Sequence, residues 1–114
     1  MKLDFTKNFV AQDMIRIIMR DKDLCEKAAI DFAINKDMYQ EIVNKGYASI
    51  AFNLWGHDDP EREWDELAEP IIEIELSEEK EKLIADIADK EKVETEIAVS
   101  YFLIFTMDLL GYHI

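Results

Sequence analysis

The sequence predicts an all-α protein, a compact bundle of five or six helices with a buried C-terminal helix. Apolar residues recur three and four positions apart along most of the chain, a spacing that places them on one face of a helix. Only three glycines and two prolines occur in 114 residues, so few tight turns are expected. Hydrophobic residues make up 49% of the chain, enough for one core. We therefore expect a single helical domain spanning residues 1–114.

The first half of the chain contains three predicted helices. The first lies between Thr6 and Arg20. The second begins at Asp23, which forms a capping-box pattern with Glu26 three residues later, and the third begins at Asp37. The side chains that this periodicity turns inward are Val10, Met14, Ile17, Ile18, Cys25, Ala29, Phe32, Ala33, Tyr39, Val43, Tyr47, Ile50 and Leu54.

The middle of the chain combines a short helix with an extended segment. Asp59-Pro60 is typical of a helix start, and this fourth helix must end before Pro70. Residues 71–76 then alternate apolar and acidic side chains, as a half-buried strand does. A strand needs a partner, either residues 3–5 or the same segment of a second subunit, and an extended linker is the alternative.

Two helices complete the predicted bundle. Ser77 caps a fifth helix whose inward side chains are Leu83, Ile84, Ile87 and Ala88. The last helix covers residues 93–110 and ends at Gly111. From Ile97 onward it is apolar on nearly every side, which predicts that other elements surround it. It is either the central helix of the bundle or half of a homodimer seam.

The charge of the chain is concentrated in its second half. Residues 1–56 hold eight acids and eight bases, whereas residues 57–96 hold seventeen acids and five bases. A neutral body joined to an acidic segment predicts one strongly negative surface. Negative charge disfavours direct binding to nucleic acid, because the phosphates would repel it.

Cysteine usage and hydropathy predict a cytoplasmic protein without membrane contact. Cys25 is the single cysteine, so no internal disulfide forms, and we expect it to be a buried free thiol. The N-terminus lacks the apolar core of a signal peptide. The most apolar stretch, residues 97–107, is too short to span a bilayer.

The densest acidic run predicts a partner-binding surface, with a merely solvated surface as the alternative. Residues 58–75 hold nine acids against Arg62 alone, an arrangement that costs stability through repulsion. We expect a basic protein surface as partner, such as that of a nucleic-acid-handling protein, and an inhibitory or immunity-like role. Trp64 would act as an anchor and the Ile72 and Ile74 edge would add contact area. The predicted binding residues are Asp58, Asp59, Glu61, Trp64, Asp65, Glu66, Glu69, Ile72, Glu73, Ile74 and Glu75.

Catalytic and cofactor signals are weak. His57 and His113 are the only histidines, Cys25 has no neighbouring base, and no glycine-rich phosphate loop occurs, so we predict no catalysis and no cofactor. The run Asp65-Glu66-Leu67-Ala68-Glu69, followed by Asp86 and Asp89, resembles the acidic motifs of MazG-type nucleotide pyrophosphatases.

That resemblance implies an alternative function, a Mg²⁺-dependent nucleotide pyrophosphatase. Its metal site would be formed by Glu66, Glu69, Asp86 and Asp89. Two features depart from the family pattern. Pro70 interrupts the first acidic helix, and Asp86 stands where a glutamate is expected. A self-associating structural protein is a further alternative.

Overall fold

The computed structural model describes residues 1–6, 8–45 and 70–112. These residues form five helices and a two-stranded sheet, so the predicted helical bundle with one short strand segment is confirmed. The elements in chain order are β1 (Lys2–Asp4), α1 (Phe9–Lys22), α2 (Glu26–Ala33), α3 (Lys36–Lys45), β2 (Ile71–Glu73), α4 (Glu78–Glu91) and α5 (Thr95–Leu109).

Helix α5 is the centre of the bundle. Every residue from Ala98 to Met107 is buried, and the helix contacts α1, α2, α3, α4 and β1. Its all-round apolar sequence is thus explained within one chain, as the prediction of a surrounded helix requires. A homodimer seam through this helix stays a prediction. No helix among the described residues is long and apolar enough to cross a membrane.

The start of α2 differs from the prediction. Asp23 does not cap this helix but follows α1 in the left-handed conformation, with φ of 54°. Helix α2 begins after Cys25, which occupies the N-cap position without a side-chain cap bond and is exposed. The prediction of a buried thiol was therefore wrong. A chain leaving α1 must reverse direction here, and Asp tolerates the left-handed turn better than most residues.

The start of α3 is also displaced from the prediction. The Asn35 side chain accepts a hydrogen bond from the Met38 N–H at 3.0 Å, so Asn35 rather than Asp37 caps the helix. The buried face of α3 also differs from the predicted one. Met38 and Ile42 are buried, whereas Val43 is 41% exposed and Tyr39 is half-buried.

The predictions for α4 and α5 are confirmed. The Ser77 side chain accepts a hydrogen bond from the Lys80 N–H at 3.2 Å, and Ile84 and Ile87 are buried. Gly111 follows α5 with φ of +92°, a backbone conformation that residues with a side chain rarely adopt. The predicted helix before Pro70 and the inward residues Tyr47, Ile50 and Leu54 lie outside the described residues, as do His57 and His113.

The predicted strand pairs within the chain. Strands β1 and β2 are antiparallel, with Leu3 opposite Ile72, so the N-terminal segment is the mate that β2 requires. Leu3, Phe5, Ile72 and Ile74 are buried against the helices. Strand β1 lies against α5 and β2 against α2.

Candidate partner-binding surface

Four of the predicted binding residues lie on or directly after β2, and alternation divides them into two pairs. Ile72 and Ile74 are 3% and 4% exposed, so their side chains belong to the core. Glu73 and Glu75 are exposed. These two side chains point inward because a half-buried strand turns its apolar residues toward the core, and contact with a partner through the Ile72 and Ile74 edge stays a prediction. The exposed apolar side chain of this strand is Ile71, at 47%.

The backbone pairing of β2 uses only one of its edges. Met1 and Ile74 exchange both backbone hydrogen bonds, at 3.0 and 2.9 Å, and the Phe5 N–H donates to the Pro70 carbonyl at 2.9 Å. In an antiparallel pair such bonded positions alternate with positions whose N–H and C=O groups point away. Residues 71 and 73 occupy the outward positions, and no backbone hydrogen bond joins them to another described segment.

The outer edge of β1 differs from that of β2. The Asp4 N–H points away from β2 and lies 3.4 Å from Oε1 of Glu96, at the start of α5. That edge is therefore partly covered by a side chain of the bundle. Among the residues that the structure describes, the edge of β2 has no third strand beside it. An uncovered strand edge is a template for pairing with another chain.

A groove of about 740 Å³ lies beside the end of β2. Helix α2 forms its second wall. The groove is lined on the sheet side by Met1, Glu73, Ile74 and Glu75, and on the helix side by Cys25, Lys27, Ala28 and Asp31. The end of β2, with its exposed Glu73 and Glu75, thus borders a concave surface. The sequence did not predict that α2 lines this groove, because nothing in the local pattern of α2 indicates which distant strand it faces.

Acidic side chains continue from β2 into the first turn of α4. We call Glu73, Glu75, Glu78 and Glu81 the acidic surface. All four are exposed, and no cation of the described residues forms an ion pair with them. Glu79, between them, is held by Lys36 at 2.8 Å, and this hydrogen bond lowers the pKa of its carboxyl. The acidic surface therefore presents carboxylates that the fold leaves available.

The alternative metal site is only half described. Glu66 and Glu69 lie outside the described residues, and Asp86 is already held by two donors. The Tyr39 hydroxyl donates to Oδ2 of Asp86, and Nζ of Lys90 lies 3.1 Å from the same oxygen. Both contacts lower the pKa of Asp86, the tyrosine bond most. No group of three or more candidate ligands that could hold a metal ion occurs in the described ranges.

The remaining predicted binding residues have no structural account here. Asp58, Asp59, Glu61, Trp64, Asp65, Glu66 and Glu69 all lie outside the described residues. Their participation in a surface stays a prediction. They precede β2 in the sequence.

Comparison with known proteins does not assign the chain to a family. A scan against protein-family models found no matching family, and searches of curated proteins and of solved structures found no match. The function must therefore be inferred from the geometry of this chain alone.

Proposed function

We propose that this protein is a non-catalytic binding module that engages a basic partner protein through the acidic surface, with inhibition of that partner as the expected consequence. The observation that carries the proposal is the group of exposed carboxylates at positions 73, 75, 78 and 81, none of which forms an ion pair with a cation of residues 1–6, 8–45 or 70–112. Residues 70–96 hold ten acids and four bases, so the described part of the acidic segment is itself strongly negative.

The spacing of these acids makes their charge costly. Glu78 and Glu81 are three residues apart on one helix, which makes their side chains surface neighbours. Two exposed carboxylates about 6 Å apart repel by about 0.7 kcal/mol before salt screening. The dipole at the start of α4 offsets part of this repulsion for Glu78 and Glu81, but Glu73 and Glu75 lie on extended chain without that benefit. A basic partner would relieve the repulsion on binding and would be attracted from a distance.

The proposal is tested by comparing three proteins in affinity capture from a lysate of the source organism, at low and high salt. The first is the wild type and the second changes the acidic surface to glutamine (Glu73→Gln, Glu75→Gln, Glu78→Gln and Glu81→Gln). The third is a matched control with the same loss of charge elsewhere (Asp37→Asn, Asp89→Asn, Glu91→Gln and Glu94→Gln). All control positions are exposed.

We expect the wild type and the control to retain the same basic protein and the acidic-surface variant to lose it. Binding of that protein, once purified, should weaken steeply as salt rises. Equal retention by all three proteins, or a retained partner that is not basic, would contradict the proposal. A fourth variant neutralising Asp58, Asp59, Glu61, Asp65, Glu66 and Glu69 measures the contribution of the preceding segment.

A further inference from the structure

We propose that the outer edge of β2 binds an extended segment of the basic partner as a third strand, with the groove against α2 receiving its inward side chains. This inference rests on the proposed function and specifies its contact. The partner segment would carry lysine or arginine at alternate positions, because the exposed face of β2 carries glutamate at alternate positions.

The main-chain requirements for strand addition are met by β2. Its paired edge continues beyond the strand itself, from Pro70 to Ile74. The opposite edge consequently offers the N–H and C=O groups of residues 71, 73 and 75 in an extended chain. Binding by strand addition takes its affinity from these main-chain groups and its specificity from alternate side chains.

The side chains beside the edge define what an added strand must carry. On the exposed face, the added strand would place three alternate side chains next to Ile71, Glu73 and Glu75. Opposite charges in such cross-strand positions are favourable, as is an apolar side chain beside Ile71. The added strand is expected to carry one apolar and two basic residues at alternate positions on that face, in this order if it is parallel to β2 and in the reverse order if it is antiparallel.

Within the described part of the chain, two cations border this edge without forming an ion pair with its glutamates. Lys2 stands opposite Glu73 in β1, and Lys27 lines the groove from α2, but neither forms an ion pair with Glu73 or Glu75. The N-terminal amine of Met1 donates to the Ile74 carbonyl. On the inward face, Ala28 and Cys25 border the groove, so small apolar side chains of the added strand fit there.

The first test uses a defined probe, a fluorescent eight-residue peptide that alternates valine with lysine. Two matched peptides carry N-methyl groups either on the lysine amides or on the valine amides, which removes hydrogen-bond donors from opposite edges of the extended peptide without changing charge. We expect one methylated peptide to bind about tenfold more weakly than the other, since two lost hydrogen bonds correspond to about that factor. Loss on lysine methylation indicates an antiparallel added strand and loss on valine methylation a parallel one.

The second test changes the protein. Ile71→Pro removes an outward N–H but no bond to β1, and proline is tolerated at a strand edge. Because one hydrogen bond is lost, we expect it to weaken binding of the unmethylated peptide about threefold while thermal unfolding stays close to that of the wild type. Glu73→Gln with Glu75→Gln should weaken binding at low salt, whereas the control Glu91→Gln with Glu94→Gln should not.

Hydrogen exchange of the unmodified protein supplies a readout that does not depend on any variant. The amides of residues 71 and 73 should exchange fast in the free protein and slowly with the peptide bound, while the Ile72 amide is slow in both.

Strand addition at β2 and the proposed binding of a basic partner can fail separately. Equal affinity of the two methylated peptides, with no protection at residues 71 and 73, would overturn strand addition. If the acidic-surface variant nevertheless loses its basic partner, the proposed function stands without it. Absence of both peptide binding and a captured basic partner would overturn both.

Discussion

Lys80 joins α4 to the end of α2 through two contacts with Asp31. Its Nζ lies 3.0 Å from the carboxylate Oδ1 and donates a hydrogen bond of 2.7 Å to the backbone carbonyl of the same residue. That carbonyl belongs to the last turn of α2, where backbone acceptors have no partner within the helix. A cation at this end also complements the helix dipole. The contact therefore sets the position of the α2 wall that borders the groove.

Removing the Lys80 ammonium should lower stability modestly. We expect Lys80→Met to reduce the free energy of unfolding by about 1 kcal/mol, because it leaves a helix carbonyl without its donor, while the partly exposed ion pair adds little. Urea denaturation followed by circular dichroism measures the change. The control Lys82→Met, on the same helix and exposed, should change stability by less than about 0.5 kcal/mol. Equal losses in both variants would contradict the role assigned to Lys80.

The cap of α3 can be tested against the position that the sequence suggested. Asn35→Ala should destabilise the protein by about 1 kcal/mol, because the Met38 N–H loses its acceptor. Asp37→Ala removes only a favourable charge from the first turn, which is worth about 0.3 to 1 kcal/mol. Denaturation midpoints of the two variants provide the comparison. A larger loss in Asp37→Ala than in Asn35→Ala would show that the cap lies where the sequence pattern placed it.

Lys92 offers a site for stabilisation. It follows α4 in the left-handed backbone conformation with φ of 55°, which residues other than glycine adopt at a cost in free energy. We expect Lys92→Gly to raise the thermal midpoint, with a gain of about 0.5 to 1 kcal/mol in the free energy of unfolding. Glu91→Gly, one residue earlier and inside the helix, should instead lower stability by about 1 kcal/mol. A destabilising Lys92→Gly would contradict the left-handed geometry.

The Tyr39 and Asp86 contact should make stability depend on acid pH. The Tyr39 hydroxyl and Lys90 lower the pKa of Asp86 in the folded protein. A carboxyl with a lowered folded pKa contributes stability above its unfolded pKa of about 3.9, and this contribution disappears as the pH falls through the folded value. Tyr39→Phe should raise the pKa of Asp86, as measured by nuclear magnetic resonance titration, and flatten the loss of stability below about pH 4.

Asp86→Asn provides the control for that titration, since it removes the ionisable group. Its unfolding free energy should differ from that of the wild type at neutral pH, and the difference should shrink in acid. A difference that is constant from neutral pH to acid pH would show that the contact does not depend on charge.

The alternation of residues 71–76 illustrates how far a local pattern extends. It predicted a half-buried strand and offered residues 3–5 as its mate, both of which the fold contains. The same alternation implies that the side chains of Ile72 and Ile74 point into the core, so contact with a partner at these positions would be made through the backbone edge of the strand. Ile71 precedes them on the opposite face, and its exposure follows from the same rule.

The helix starts show where local patterns become ambiguous. Asp23 and Asp37 each stand three residues before a side chain that completes a cap pattern, yet Cys25 and Asn35 occupy the cap positions. Sequence chemistry offers several polar residues near each boundary. Which of them caps the helix depends on how the chain turns between packed helices, and a shift of one or two residues also moves the buried face, as it did for Met38 and Ile42.

The helical class, a C-terminal helix that is surrounded by other elements, the Ser77 cap and the concentration of acids in the second half could all be predicted from the sequence, because hydrophobic periodicity and charge are local properties. The sequence left open whether the C-terminal helix is the centre of one bundle or half of a homodimer seam. Which helix borders the end of β2, the exposure of Cys25 and the hydrogen bond from Tyr39 to Asp86 follow from the tertiary structure. The Tyr39 and Asp86 contact joins residues 47 positions apart, and only packing of the whole chain brings such residues together.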